Sequence, residues 1–102
     1  MLEIRPNCEC CDRDLAPDST AARICSYECT FCASCVDEVL QDVCPNCGGG
    51  FVPRPIRPKV SRRPGVGLSE QPASGERRAM RYTRREAAEF AAGIRDIRPE
   101  DR

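Results

Sequence analysis

The chain has 102 residues and a formal net charge of zero, because 16 acidic residues balance 16 lysines and arginines. A chain of this length can hold one small domain with an extension, and it lacks the run of about 20 apolar residues that a membrane span needs. The N-terminal residues also lack the apolar segment of a secretory signal. We therefore expect a cytoplasmic protein with reduced thiols and no membrane association.

The composition divides the chain sharply near Phe51. Residues 1–52 contain all nine cysteines, with nine acidic residues against three arginines, so their formal charge is −6. Residues 53–102 contain 13 lysines and arginines against seven acidic residues, so their formal charge is +6, and the acidic part could attract them. A domain of about 50 residues buries too little apolar surface to fold unaided, so the cysteines must contribute to its stability.

The cysteine-rich part predicts a short β-hairpin and one short helix. Residues 22–27 form one strand of the hairpin, and Phe31 lies in the other. From Ser34, the predicted N-cap, a helix runs until shortly before Pro45. Residues 51–52 are expected to fold back onto the module. The apolar face of the helix has helical spacing and consists of Val36, Val39, Leu40 and Val43.

The second half predicts a basic tail with one helix. Residues 53–82 are rich in Pro, Arg, Gly and Ser, which is typical of a disordered linker. Residues 83–98 open with Thr83 and Glu86 at the spacing of a capping box and continue as a short amphipathic helix, and residues 99–102 form a disordered end. The predicted fold is a small metal-stabilised α+β module at residues 1–52, followed by a mostly disordered basic tail with a short C-terminal helix.

Eight cysteines form four closely spaced pairs. Three pairs have C-x-x-C spacing, and the fourth has one more intervening residue. Two cysteines that flank a tight turn can both point at one ion, and zinc prefers four such ligands in a tetrahedron. The spacing predicts two structural Zn²⁺ ions, with a disulfide scaffold or an iron–sulfur site as the alternatives. The pairs are Cys8 and Cys11, Cys25 and Cys29, Cys32 and Cys35, and Cys44 and Cys47.

The order of the ligands resembles the RING-finger family over residues 8–47. The gaps are 2, 13, 3, 2, 2, 8 and 2 residues, Phe31 precedes the fifth ligand, and Cys44-Pro45-Asn46-Cys47 closes the motif. The resemblance implies an interleaved, cross-braced pairing, with Cys8, Cys11, Cys32 and Cys35 on one zinc and Cys25, Cys29, Cys44 and Cys47 on the other. Sequential binding is also sterically possible, with Cys8, Cys11, Cys25 and Cys29 on one ion and Cys32, Cys35, Cys44 and Cys47 on the other.

A second resemblance covers about residues 1–58. The segments at residues 5–11, 29–32 and 44–55 are similar to a family of short bacterial cysteine-rich proteins of unknown function. This resemblance implies no activity, and the basic tail lies outside it.

Cys10 is the cysteine without a predicted partner. It is either a bystander thiol that could exchange with Cys11 as a ligand, or a redox-sensitive residue whose oxidation would release the metal.

The residues favour an interaction module over an enzyme. The chain contains no histidine and no glycine loop that could bind phosphate, so we expect no catalysis of its own. We expect a zinc-stabilised module that binds an unknown protein partner. Its rim would be formed by Glu9, Leu40, Val43 and Pro45, although the apolar members could instead belong to the core.

Two other functions are alternatives. The RING resemblance implies a ubiquitin ligase, but Glu9 and Cys10 stand where that family has an apolar residue, and Gly48 replaces its usual cation. Residues 53–85 carry ten lysines and arginines and two acidic residues, so the tail could neutralise the phosphates of a nucleic acid. The other interpretation of the tail is a solvated basic linker.

Overall fold

The computed structural model describes all residues from Met1 to Arg102. Its centre is an antiparallel sheet with the strand order β2–β1–β3. Arg23 pairs with Phe31 in the hairpin and with Pro53 on the other side. The predicted hairpin is therefore confirmed, and the segment after Phe51 folds back as its third strand. The strands are β1 (Ala22–Ile24), β2 (Thr30–Cys32) and β3 (Val52–Pro53).

The predicted helix follows the hairpin but begins earlier than expected. Helix α1 (Ala33–Cys35) continues β2 directly and passes into a π-helical turn at Val36–Leu40. Cys32 is the N-cap, so the assignment of Ser34 to this position is wrong. Strand β2 ends at Cys32, and the helix begins at the next residue. This change of direction brings the sulfur atoms of Cys32 and Cys35 into the same cluster. Gln41 ends the helical segment in the left-handed conformation, with φ of 47°.

The core is small and rich in sulfur. Six of the 16 buried apolar residues are cysteines, so sulfur atoms occupy space that aliphatic side chains would fill in a larger domain. The Phe51 ring packs edge-on against Phe31, with a centroid distance of 5.4 Å and an interplanar angle of 76°. The expected exposed rim does not form, because its apolar side chains are buried in the small core. All four residues assigned to the rim are buried, namely Glu9, Leu40, Val43 and Pro45.

The tail is ordered against the module, so the prediction of a disordered linker at residues 53–82 is wrong. Arg54 is only 5% exposed, and its guanidinium donates hydrogen bonds to the carbonyl oxygens of Arg5 at 2.8 Å and Ala16 at 2.9 Å. Arg57 likewise donates to the carbonyl oxygen of Leu2. The tail contains no regular element between β3 and residue 83. Its order comes from arginines that bond to the acidic module.

Helix α2 spans Arg84–Ala92, within the predicted range of residues 83–98 but shorter. Its capping box is confirmed: Thr83 Oγ1 accepts a hydrogen bond from the Glu86 amide at 3.1 Å, and Glu86 Oε1 accepts one from the Thr83 amide at 3.0 Å. Buried Ala87 and Ala91 face the module, and α2 packs on the π-helical turn. The small alanines allow this close contact.

The C-terminal residues are also ordered, which corrects the expected disordered end at residues 99–102. A 3₁₀ turn at Pro99–Asp101 places Pro99 beside Gly50. The Arg102 guanidinium donates to the carbonyl oxygen of Asp42 at 2.7 Å. None of the helices combines the length and the apolar character that a membrane crossing requires.

Candidate metal centre

Four cysteines from two distant segments meet in a first sulfur cluster. Cys8 and Cys11 flank the N-terminal turn, and Cys32 and Cys35 flank the start of α1. The four Sγ atoms lie within 4.8 Å of one another. The Sγ atoms of Cys11 and Cys32 are 3.8 Å apart. A tetrahedral ion with metal–sulfur distances of about 2.3 Å has sulfur–sulfur edges of about 3.8 Å, so this donor set fits a tetrahedral metal.

The second cluster joins the end of the hairpin to the closing turn. The Sγ atoms of Cys25, Cys44 and Cys47 lie within 4.8 Å of one another. Cys29, the fourth predicted ligand, lies outside this mutual group but contacts the thiols of Cys25 and Cys44. Its Sγ accepts a hydrogen bond from Asn46 Nδ2 at 3.4 Å. The second cluster therefore has three grouped sulfurs with Cys29 at its edge.

The thiols of the second cluster strongly affect each other's protonation. Hydrogen bonds from Cys25 and Cys44 lower the pKa of Cys29 to about 2. The hydrogen bond with Cys29 raises the pKa of Cys25 to about 11. These contacts favour the thiolate form of Cys29 and the protonated form of Cys25. A bound cation would require the remaining thiols to lose their protons as well.

Main-chain N–H groups point at sulfur atoms in both clusters. Cys8 Sγ accepts from the Cys11 amide at 3.5 Å, and Cys25 Sγ accepts from the Tyr27 amide at 3.4 Å. In the closing turn, Cys47 Sγ accepts from the Gly49 amide at 3.4 Å. Such donors favour the thiolate form and fix the direction of each ligand. The turns around the cysteines are therefore arranged for anionic sulfur.

A buried ion pair supports the turn of the first cluster. Glu9 is 6% exposed, and its carboxylate accepts hydrogen bonds from Arg5 Nη1 at 3.0 Å and from the Thr30 amide. The contact ties the N-terminal turn to β2, which leads to Cys32. Glu9 was expected in the exposed rim but is buried, and its supporting role was not predicted. The i,i+4 spacing of Arg5 and Glu9 is the signal that could have indicated it.

Cys10 lies beside the first cluster without joining it. It is half-buried and lies close enough to Cys35 to affect the pKa of that thiol. Burial raises the pKa of Cys35, and the contacts with Cys32 and Cys10 raise it further. All nine cysteines are free thiols, so no disulfide holds the module together. Two cysteine clusters are thus present that could hold metal ions.

Comparison with known proteins gives a family without an assigned activity. The model of a family described as "Protein of unknown function (DUF1272)" matches residues 1–57. An uncharacterized protein of Rhizobium meliloti is 66% identical over 58 residues, which cover 57% of this chain and 69% of that protein. No solved structure matches. These matches confirm the resemblance to cysteine-rich bacterial proteins of unknown function, and the chain belongs to the DUF1272 family.

Proposed function

We propose that this chain is a structural zinc protein, with one Zn²⁺ in each cysteine cluster and a RING-like, cross-braced ligand pairing. The observation that carries the proposal is the interleaved grouping of the sulfurs. The first and third cysteine pairs, Cys8 with Cys11 and Cys32 with Cys35, form one cluster. Cys25 belongs to the second pair, which lies between those two in sequence, and it is grouped with the fourth pair, Cys44 and Cys47. Cys29, which interacts with the thiols of Cys25 and Cys44, would be the fourth ligand of the second site. Sequential binding would instead require Cys8 and Cys11 beside Cys25.

Zinc is the metal that best suits these donors. Sets of four cysteine sulfurs are typical of structural zinc, and they leave no open position for a substrate or water. A structural zinc site contributes an apparent 10–16 kcal/mol, roughly, in small peptides. The chain needs such a contribution because its apolar core has only 16 buried members. We therefore assign the ions to folding rather than to catalysis.

We further propose that the folded module binds a protein partner. Support comes from an open cleft of about 460 Å³ between the closing turn and α2, lined in part by Pro45, Tyr82 and Phe90. Both aromatic rings are more than two-fifths exposed, at 42% for Tyr82 and 44% for Phe90. Partly exposed aromatic side chains in a surface cleft are typical of interaction surfaces. Protein binding without catalysis is the function that this arrangement favours.

The alternatives receive less support from these contacts. The carboxylate of Glu9 is buried against Arg5, so that position offers no apolar contact of the kind a RING ligase uses. Several tail arginines, including Arg54 and Arg77, bond to the module rather than facing solvent freely. Nucleic-acid binding through residues 53–85 stays a prediction from the sequence.

Native mass spectrometry of the purified protein tests the proposed metal content. We expect a mass increase that corresponds to two zinc ions per chain and disappears after acid denaturation. Elemental analysis of the same sample should give zinc without iron or inorganic sulfide. A single zinc ion per chain, or an iron–sulfur cluster, would overturn the proposal. The variant Cys10→Ser is the control and should retain both ions.

A further inference from the structure

We propose that one face of the module is a groove that binds an extended basic peptide from a partner protein, and that the chain's own tail fills this groove in cis. The docking groove is formed by Glu3, Asn7, Glu9, Asp12 and Asp14, and residues 74–80 lie in it. This inference rests on the proposed interaction function and adds a second binding surface, other than the cleft lined by Pro45, Tyr82 and Phe90, with a partner of defined chemistry.

Main-chain hydrogen bonds hold the segment along the groove. The amide of Ser74 donates to the carbonyl oxygens of Glu3 at 3.0 Å and Ile4 at 3.1 Å. At the other end, the amide of Met80 donates to the carbonyl oxygen of Glu9 at 2.9 Å. Peptide-binding proteins use such main-chain contacts to bind extended chains of varied sequence. The groove therefore recognises an extended backbone.

Asn7 is the central contact of the groove. Its side chain is fully buried, with 0% exposure. It bonds to the main chain of Arg78, which lies 71 positions away in sequence. Nδ2 donates to the carbonyl oxygen of Arg78 at 2.8 Å, and Oδ1 accepts from the amide of Arg78 at 3.1 Å. A buried side-chain amide that loses its hydrogen-bond partners destabilises the fold, because water cannot replace them. The groove thus requires a peptide backbone at this point, whichever side chain that residue carries.

Acidic side chains give the groove its preference for cations. Arg77 forms ion pairs with Asp12 at 2.8 Å and Asp14 at 2.6 Å. Arg78 lies 3.4 Å from the carboxylate of Glu3. The carboxylates of Asp12 and Asp14 are 74% and 86% exposed, so they are accessible to a competing arginine. The matching ligand is an extended segment with two adjacent basic residues.

The tail is an occupant of the groove that a partner peptide can displace. The family match ends at residue 57, so it includes the groove but not residues 74–80, which fill it here. The connection to the tail passes through the exposed turn around Gly65, where no other atom lies within 4 Å of an added Cβ. The exposed ion pairs of Arg77 with Asp12 and Asp14 are screened by solvent and hold the tail only weakly. A tethered segment is nevertheless favoured by an effective concentration on the order of millimolar, which a tighter partner must exceed.

Peptide binding to full-length variants tests the inference. The probe is a fluorescein-labelled peptide of residues 72–82, and its anisotropy reports binding. In the released variant, Arg77→Glu and Arg78→Glu weaken the cis contact, so we expect this variant to bind the probe about tenfold or more tighter than wild type. Adding Asp12→Lys and Asp14→Lys to the released variant should abolish that gain. Both carboxylates are exposed, but Asp12 Oδ1 also accepts a hydrogen bond from the buried Asn7 Nδ2 at 3.0 Å, so circular dichroism must show that this variant is folded.

The control peptide carries glutamate in place of both arginines. It should bind the released variant at least about tenfold more weakly than the probe does, because it loses the ion pairs with the groove carboxylates. Equal binding of the probe to wild type and to the released variant would overturn the proposal that the tail occupies a peptide-binding groove. A wild-type protein that forms a dimer through exchanged tails would overturn the assignment of the groove to a separate partner.

Zinc content measured on the same samples separates the two proposals. Two zinc ions per chain without tighter probe binding overturn the groove and leave the zinc scaffold standing. Fewer than two ions in wild type overturn the scaffold, whatever the peptide does.

Discussion

The sulfur atoms of Cys11 and Cys32 lie 3.8 Å apart, although 21 positions separate these residues in sequence. The chain between them contains β1 and both hairpin cysteines of the second cluster, Cys25 and Cys29. A metal at the first cluster would therefore close a loop that carries half of the second cluster. The two sites are expected to depend on each other.

Removing one ligand of the first cluster should affect both sites. We expect Cys32→Ser to lose the zinc of its own cluster and to weaken zinc binding at the other, because the hairpin loses its closure. Competition with a chromogenic chelator measures both affinities. The matched control, Cys10→Ser, changes a neighbouring thiol outside the grouped ligands and should leave both affinities unchanged. Full affinity at the second site in Cys32→Ser would show that the sites are independent.

Chelation should unfold the module. With six of its 16 buried apolar residues being cysteines, the metal-free chain lacks a sufficient core, so excess EDTA should abolish the cooperative thermal transition. Circular dichroism follows the loss, and added zinc should restore the transition. An unchanged melting curve with metal removed, verified by elemental analysis, would contradict a structural role for the metal.

The ion pair of Glu9 and Arg5 should contribute measurably to stability. Glu9→Gln removes the charge from a carboxylate that is 6% exposed, and we expect the free energy of unfolding to fall by about 1.5–3 kcal/mol. Urea denaturation in excess zinc measures it. The control is Glu89→Gln, which breaks the exposed pair with Arg85 and should cost less than about 0.5 kcal/mol. Equal effects of the two variants would contradict a role for the buried pair.

Limited trypsin digestion should distinguish an ordered tail from a disordered one. Arg62 lies in the exposed turn without a polar partner in the module, so we expect the first cleavage after it. Cleavage after Arg77 and Arg78 should be slower, because these residues are bound to the module. Mass spectrometry of a time course gives the order. Similar rates at all three positions would indicate that the tail is not docked.

The sequence was sufficient for the features that depend on local spacing. Cysteine pairs at fixed intervals predicted the clusters, and the capping box at Thr83 and Glu86 predicted the start of α2. The order of the tail was not predictable from composition alone. Low hydrophobicity suggested disorder, whereas opposite charges of −6 and +6 bring the two halves together through contacts such as Arg77 with Asp14. Such contacts join residues that are far apart in sequence, so hydrophobic periodicity does not predict them.

The buried polar residues were missed for a similar reason. Asn7, Glu9 and Arg54 are types that usually face solvent, and the sequence around them contains no apolar pattern. Each is buried because it bonds to main-chain groups of a distant segment, as Asn7 does with Arg78. Their roles depend on the tertiary fold.

The pairing of the cysteines is tested most directly by NMR of the cadmium-substituted protein. Proton–cadmium correlations identify which cysteine side chains share each ion. We predict two cadmium signals, one correlated with Cys8, Cys11, Cys32 and Cys35, and the other with Cys25, Cys29, Cys44 and Cys47. A signal shared by Cys8, Cys11, Cys25 and Cys29 would contradict the cross-braced arrangement.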